Sequence, residues 1–356
     1  MKNAIRRLWD GQRLKLTWNQ TEVITLDGRG RPVAFSWGSR QFRRGLDGGC
    51  KEILRVAGET RDFYDSRPLP PPQMEEILMN WSERLGNLIQ ACEAERWILQ
   101  LRQDALDFRS IYQPISILPP DQYRSLVFQL TEGCSYNRCS FCQLYRDRPY
   151  HCKDLSHFRE HVRRALSYFG SALPWRRGLF LGDASATGIS THRLVEALQL
   201  LRQVFPCSLE DRQGNPRHPL EFDRISSFQD TFSGKERPLK DWQELRRWGL
   251  RQVHLGVESG SEAVLKLLGK PSSVKRVRGL VQRLQEADID VSLIFLLGAG
   301  GRKMAGYHLQ ESYNLVNSLN LRPQDRVYLS ELLIHPNSEY HLLTQALDIE
   351  PLSREE

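Results

Sequence analysis

No apolar run in these 356 residues approaches the roughly 18 that a membrane-crossing helix needs. The opening stretch, Met1-Lys2-Asn3-Ala4-Ile5-Arg6-Arg7, has no apolar core of the kind a secretory leader carries. These two absences predict a cytoplasmic chain without membrane insertion, in a compartment where thiols stay reduced. No short internal repeat occurs, and no low-complexity tract apart from one proline run. Apolar residues make up 40% of the chain, enough for a substantial core, so wholesale disorder is excluded. The seven cysteines are odd in number and widely spread. That pattern argues against a disulfide framework and for metal or redox chemistry.

The net charge of +7 is local. Residues 1–60 hold 12 basic and 6 acidic side chains, and the remaining chain is close to neutral. A basic module of this kind suits nucleic acid or another polyanion. No RNA-binding motif accompanies it, and a solvated surface is the simpler explanation.

The first segment reads as β-rich. Glu22–Thr25 and Val33–Trp37 flank Asp27-Gly28-Arg29-Gly30, a strand–turn–strand signal, and a second turn follows near Arg43–Gly49. Pro68-Leu69-Pro70-Pro71-Pro72 can continue neither a helix nor a central strand and marks a domain boundary. Beyond it Met74, Ile77, Leu78, Trp81, Leu85, Leu88, Ile89 and Cys92 recur at helical spacing, with helix running to about Arg109. Cys92 in that stripe is a core thiol, and Cys50 and Cys207 stand apart from any paired spacing. The organisation expected is a basic β-rich module over 1–66, a proline-rich linker and helical connector over 67–120, a core over 121–340 and a tail over 341–356.

Within that core, apolar strand candidates alternate with helices. The strands are Ser125–Leu130, Gly178–Leu181, Asp223–Phe228, Gln252–Gly256, Val291–Leu297 and Arg326–Leu333; the helices cover 157–169, 191–204, 239–248, 272–288 and 303–319. Alternation of this kind implies an α/β fold with parallel, right-handed crossovers, either an open sheet or a partial barrel. In both, ligands bind beyond the C-terminal ends of the strands.

The loop after the first of these strands contains Cys134, Cys139 and Cys142, spaced C-x4-C-x2-C. Three thiolates within nine residues can grip one metal centre, and soft sulfur selects zinc or an iron–sulfur cluster. Structural zinc would want a fourth ligand, for which His151 and Cys152 are nearest. A cubane held by three cysteines would leave one iron open to an exogenous ligand.

The run Gly133-Cys134-Ser135-Tyr136-Asn137-Arg138-Cys139-Ser140-Phe141-Cys142 resembles the cluster loop of the radical S-adenosylmethionine (SAM) superfamily, lengthened by one residue in its first interval. The likeness covers about 121–340. Gly182-Asp183-Ala184 stands where the family has a Gly-Gly-Glu-like turn, Asp replacing Glu. Gly256-Val257-Glu258-Ser259-Gly260 is similar to its Gly-x-Glu-Ser-Gly run, and Gly298-Ala299-Gly300-Gly301 to its glycine turn beside adenine.

The resemblance implies a partial (β/α)6 TIM-type barrel. It also implies that Cys134, Cys139 and Cys142 ligate a [4Fe-4S] cluster, and that Phe141, Gly182, Asp183, Glu258, Ser259, Gly298 and Gly300 line bound SAM. Reductive cleavage of SAM to a 5′-deoxyadenosyl radical would follow, with hydrogen abstraction from a small or medium organic substrate and electrons from a donor such as flavodoxin or ferredoxin. Cys152 is a candidate thiyl donor or extra ligand, with structural filler the simpler reading. His308 and His335 face the same edge. An ordinary strand–helix loop competes for Asp183, and a helix N-cap competes for Ser259 and Ser261. The residues Asp-x-His-x-x-Gly, which bind cobalamin, are absent. Two other readings stay open: an RNA- or tRNA-modifying enzyme that uses the basic module, and a non-enzymatic iron–sulfur or zinc-binding regulator.

Overall fold

A computed structural model of the chain describes residues 6–9, 13–18, 21–57, 63–85, 94–184, 186–205, 224–232 and 236–353. Leu88, Ile89, Cys92, Cys207 and Asp223 lie outside these residues. The chain divides into two compact units: Met1–Pro114 with Arg163–Arg176, and Ile115–Val162 with Arg177–Arg354.

In the first unit, seven strands form one antiparallel sheet in chain order: β1 (Arg6–Trp9), β2 (Leu14–Thr17), β3 (Val23–Leu26), β4 (Pro32–Trp37), β5 (Arg40–Arg44), β6 (Cys50–Val56) and β7 (Phe63–Pro68). The turn expected at Asp27-Gly28-Arg29-Gly30 joins β3 to β4. The Asp27 carboxylate organises it by accepting from the backbone N–H groups of Arg29 at 2.9 Å and Arg31 at 3.1 Å. Two helices follow, α1 (Pro71–Leu85) and α2 (Ala94–Ile111).

The proline run is not a packing boundary. Leu16, Ile24, Leu26, Phe35 and Phe42 of the sheet share one core with Ile77, Leu78 and Trp81 of α1 and with Ile98 and Leu101 of α2. One face of the sheet needs an apolar cover, and the helical stripe supplies it. The prolines make the tight exit from β7, with Pro71 opening α1, where a missing N–H costs nothing. The segment expected to be a connector therefore belongs to the N-terminal unit as far as Pro114.

Glu52 on β6 accepts from Arg40 at 2.7 and 3.1 Å and from Arg67 at 2.9 Å. The Arg40 hydrogen bonds, and then those of Arg67, hold its carboxyl down at about 2. Because the folded value lies below the ordinary one, the stabilisation is full above about pH 4.5 and is lost as pH falls towards 2. Glu52→Gln is expected to lower the melting temperature of this unit at pH 7 and to flatten its acid dependence, as circular dichroism melts at pH 3, 5 and 7 would show. Both arginines are largely in solvent, so screening keeps the effect modest.

The second unit holds six parallel strands: β8 (Leu126–Gln129), then, past a small hairpin of β9 (Thr131–Glu132) and β10 (His151–Cys152), β11 (Leu179–Gly182), β12 (Ile225–Gln229), β13 (Leu250–Glu258), β14 (Asp290–Leu297) and β15 (Arg326–Glu331). Between them run α3 (Leu155–Phe169), α4 (Thr191–Val204), α5 (Leu239–Arg247), the short α6 (Glu262–Leu267), α7 (Val274–Glu286) and α8 (Gly301–Ser318). After β15 comes α9 (Glu339–Ala346). The α7 stripe Val277, Leu280, Val281 and Leu284 is buried as its periodicity predicts, and Ser273 caps the helix by accepting from Arg276 N–H. Helix α6 was not expected. The expected tail also carries packed structure, with Thr344 and Ile349 buried.

Strand order follows chain order without reversal, so this is a singly wound barrel segment and not a doubly wound sheet. Its curvature is visible at the N-terminal end. Asp121, five residues before β8, accepts from Arg326 of β15 at 2.7 Å and from Gln252 of β13 at 3.1 Å. In a flat sheet β8 and β15 would stand about 24 Å apart, beyond the reach of so short a segment. No helix among the described residues is long and apolar enough to cross a membrane.

Candidate functional site

Thr131 pairs with Cys152 and Glu132 with His151, so the β9–β10 ladder clasps residues 133–150 into one loop at the C-terminal edge of β8. Lys153 reinforces the clasp, its ammonium donating to Gln129 O at 2.9 Å and to the Glu132 carboxylate. The far side of the loop is docked on the end of α6. Ser140 N–H donates to Leu268 O at 3.0 Å, Ser140 Oγ to Leu267 O at 2.9 Å, and Tyr136 OH to Gly269 O at 2.8 Å. Inside it, Asn137 takes up the left-handed region at φ 47° and donates its N–H to Cys134 Sγ at 3.3 Å. Arg146 covers the carbonyls of Cys139 and Cys142 at 3.0 and 3.2 Å.

All three thiols of this loop are half-buried. Burial pushes Cys139 up to about 12, against the pull of the nearby Lys270 ammonium, and raises Cys142 as well. A soft metal centre must therefore displace the protons to gain its ligands. Among the described residues, no three His, Cys, Asp or Glu side chains gather tightly enough to close on a single ion. Tetrahedral zinc would need its sulfurs about 3.8 Å apart, given bonds of about 2.3 Å. A cubane takes each thiolate on a different iron, and three soft sulfur donors on one loop are of the kind that such a cluster or zinc accepts. His151 and Cys152 join no such group. Cys152 stays on β10, its thiol directed to Lys153 O at 3.7 Å.

The other predicted residues converge on the same edge from neighbouring strands. Asp183, at the end of β11, accepts from Gly133 N–H at 3.3 Å, while its own N–H donates to Thr131 Oγ1 at 2.9 Å. Burial raises its carboxyl to about 6. Gly182 beside it is not demanded by packing: a Cβ there would meet Val127 only at an ordinary 3.6 Å. Gly298 faces open space, and Gly300 N–H donates to Tyr340 OH at 2.9 Å. Phe141 packs against a cluster that includes Leu268, Leu296, Ala299 and Tyr340, which brings it to the Gly298–Gly301 turn.

Glu258 and Ser259 part company. Glu258 sits at φ 62° and pairs with Lys270 at 2.6 Å, both side chains buried. Lys270 Nζ also donates to Gly256 O at 2.5 Å. A Cβ on Gly256 would come within 2.6 Å of the carboxylate and 2.9 Å of the ammonium, so glycine makes room for the pair. Burial alone would lower the Lys270 pKa, but Glu258 outweighs it and the net shift is upward.

Ser259 is engaged with α8. Its hydroxyl meets His308 Nδ1 at 2.8 Å, and His308 Nε2 meets Leu296 O at 2.8 Å. A carbonyl only accepts, so Nε2 carries the proton and Ser259 donates to Nδ1. Ser261 occupies the N-cap of α6 without a side-chain cap bond. His335 lies exposed, its Nδ1 accepting from Asn337 N–H at 3.3 Å.

Gly260, between those serines, lets the turn touch α8. A Cβ there would stand 2.3 Å from Glu311 O, a backbone atom that cannot swing aside. Gly260→Ala is expected to cost about 1–3 kcal/mol of stability, read by denaturant unfolding of the apo-protein.

Lys270 is the site residue that the sequence concealed. A lone lysine in a Gly-Lys-Pro turn carries no spacing signature and reads as solvated. Tyr340, the last residue of the expected core, carries no spacing signature either.

A family model described as the Radical SAM superfamily matches residues 128–305, half of the chain. Among solved structures, the chain is 18% identical to the radical SAM methyltransferase TsrM from Kitasatospora setae, covering 65% of this chain and 42% of that one with a TM-score of 0.42. It is 16% identical to coproporphyrinogen III oxidase (HemN) from Escherichia coli, with 70% and 52% covered and a TM-score of 0.42. It is also 16% identical to the cobalamin-dependent enzyme OxsB, with 62% and 29% covered and a TM-score of 0.41. The chain spans less than half the length of OxsB or TsrM. No curated protein matches it.

Proposed function

From the premise that the chain belongs to the radical SAM superfamily, we propose that it is an enzyme whose [4Fe-4S] cluster is held by Cys134, Cys139 and Cys142, and that it acts on an organic substrate at the C-terminal edge of the parallel sheet. When bound, the reduced cluster supplies the electron that cleaves SAM to methionine and a 5′-deoxyadenosyl radical, which abstracts hydrogen from the substrate. The observation that carries this reading is the cysteine loop itself: clasped by β9 and β10, docked on α6, and flanked by carboxylate and glycine positions from β11, β13 and β14.

This chain's residues have separate tasks. The loop anchors hold three thiolates on a preset frame, so little ordering remains to be done on assembly. Asp183 offers a buried carboxylate that suits a cationic amine, and binding that cation would keep it ionised. Gly298 leaves backbone open to a ligand beside the loop. Phe141 and the Gly298–Gly301 turn make a flat, partly apolar wall suited to an adenine ring. Lys270 brings positive charge to bear on Cys139 and offsets the charge that accumulates when the thiols ionise.

Anaerobic reconstitution with iron and sulfide, then dithionite and SAM, tests the proposal. Methionine and 5′-deoxyadenosine should form in equal amounts. Their absence from protein with a confirmed intact cluster would overturn the assignment of radical chemistry to this loop.

A further inference from the structure

The first unit contains a cleft that the chemistry above does not use. It lies between α1, α2 and the β5–β6 turn, has a volume of about 270 Å3, and is walled by Met74, Leu78, Ile98, Leu101 and Ala105. Arg44 lines it while being only 6% exposed. Among the described residues this guanidinium has no carboxylate within ion-pair distance. Its one hydrogen bond runs from Nη2 to Leu101 O at 3.2 Å, and its Nε is buried with no partner.

The nearby acids are already committed. Asp104 receives Arg31 at 3.3 Å and the Tyr168 hydroxyl at 2.8 Å, and Glu75 receives both prongs of Arg102 at 2.8 and 2.7 Å. Burial accordingly works against the charged form of Arg44. A second guanidinium, Arg109, stands at the exposed rim. The Nη2 atoms of Arg44 and Arg109 each lie 4.0 Å from where a Cβ on Gly48 would be.

A buried cation without a counter-charge is costly, and an apolar cleft around it selects what can supply that charge. We propose that this cleft binds a small organic monocarboxylate, its carboxylate between Arg44 and Arg109 and its apolar body against Met74, Leu78, Ile98 and Ala105. Asp104 acts on Arg44 only at a distance, so one buried cation without an ion pair among the described residues matches one anionic charge, and a planar guanidinium matches the planar carboxylate. The volume lies just below the 300–1,000 Å3 of drug-sized sites, so the ligand is small. The site stands on residues of the N-terminal unit alone and does not depend on the radical chemistry.

The test is titration calorimetry of the full-length, cluster-reconstituted protein with sodium octanoate, set beside octan-1-ol, octyl phosphate and sodium acetate. Octanoate is expected to bind one to one, at least about tenfold more tightly than octanol, which keeps the body and lacks the charge. Acetate, which has the charge and no body, should bind more weakly still. Arg44→Met, which retains a similar stem, is expected to weaken octanoate by at least about tenfold and Arg109→Met by less.

Absence of saturable octanoate binding, or equal binding by R44M, would overturn the site; tighter binding of octyl phosphate would overturn its assignment to a carboxylate. Arg44 also ties the sheet to α2, so R44M could fail to fold. Leu106→Trp then decides the matter: Leu106 is 56% exposed at the cleft mouth, and an indole there should block entry without touching the core. Loss of octanoate by L106W supports the site, and unchanged affinity refutes it.

Discussion

Alanine at any one of Cys134, Cys139 or Cys142 is expected to abolish the cluster and, with it, all formation of 5′-deoxyadenosine. A cubane held at three corners by protein has no spare ligand to lose, and the next thiol along the chain, Cys152, is on β10 with its sulfur directed to a backbone carbonyl. Iron and acid-labile sulfide per chain, with the visible absorption of the reconstituted protein, give a readout that does not depend on turnover. Unchanged iron in one of the three variants would remove that cysteine from the ligand set. Cys152→Ala, by contrast, should keep its full iron content. The high thiol pKa of Cys139, about 12, adds that cluster assembly should speed up as pH is raised, because metal and proton compete for the same sulfur.

Replacing Lys270 with Met is expected to destabilise the second unit by about 3–5 kcal/mol, the range for removing one partner of a buried ion pair. The Glu258 carboxylate would keep its desolvation and lose the ammonium at 2.6 Å. Gly256 O would lose a donor as well. Denaturant unfolding of the apo-protein measures the loss without reference to chemistry. The double variant Lys270→Met with Glu258→Gln should recover much of it, because no buried charge is then left alone. If K270M unfolds at the wild-type denaturant concentration, the pair carries no net stability and Lys270 is held in place by its surroundings.

The readable parts of this protein are the local ones. Strands β8, β11, β12, β13 and β14 are buried on both faces, so each appears as a short apolar run between helical periods. The cysteine loop is legible because its three cysteines fall within nine residues. Glu258 was found through its neighbours in the chain, but its partner Lys270 lies twelve residues on, beyond α6, in a turn with no signature. Ser259 shows the converse. Its motif suggested a ligand contact, and the structure engages its hydroxyl with His308, 49 residues away on the next crossover helix.

By itself the sequence determined the class of the fold, the position of the cysteine loop beyond the first parallel strand, and the confinement of positive charge to the first sixty residues. Periodicity, spacing and charge are properties of neighbours along the chain, and they survive without coordinates. Only the tertiary structure decided the rest. Alternation of strand and helix fits a doubly wound sheet as well as a barrel, and the unreversed strand order with the Asp121–Arg326 contact selects the second. Only packing could show that α1 and α2 complete the core of the antiparallel sheet, because a helical stripe states that it needs a cover and not which one. That Arg44 Nε has no hydrogen-bond partner among the described residues is likewise invisible in the chain, since a group is unpartnered only relative to what surrounds it in space.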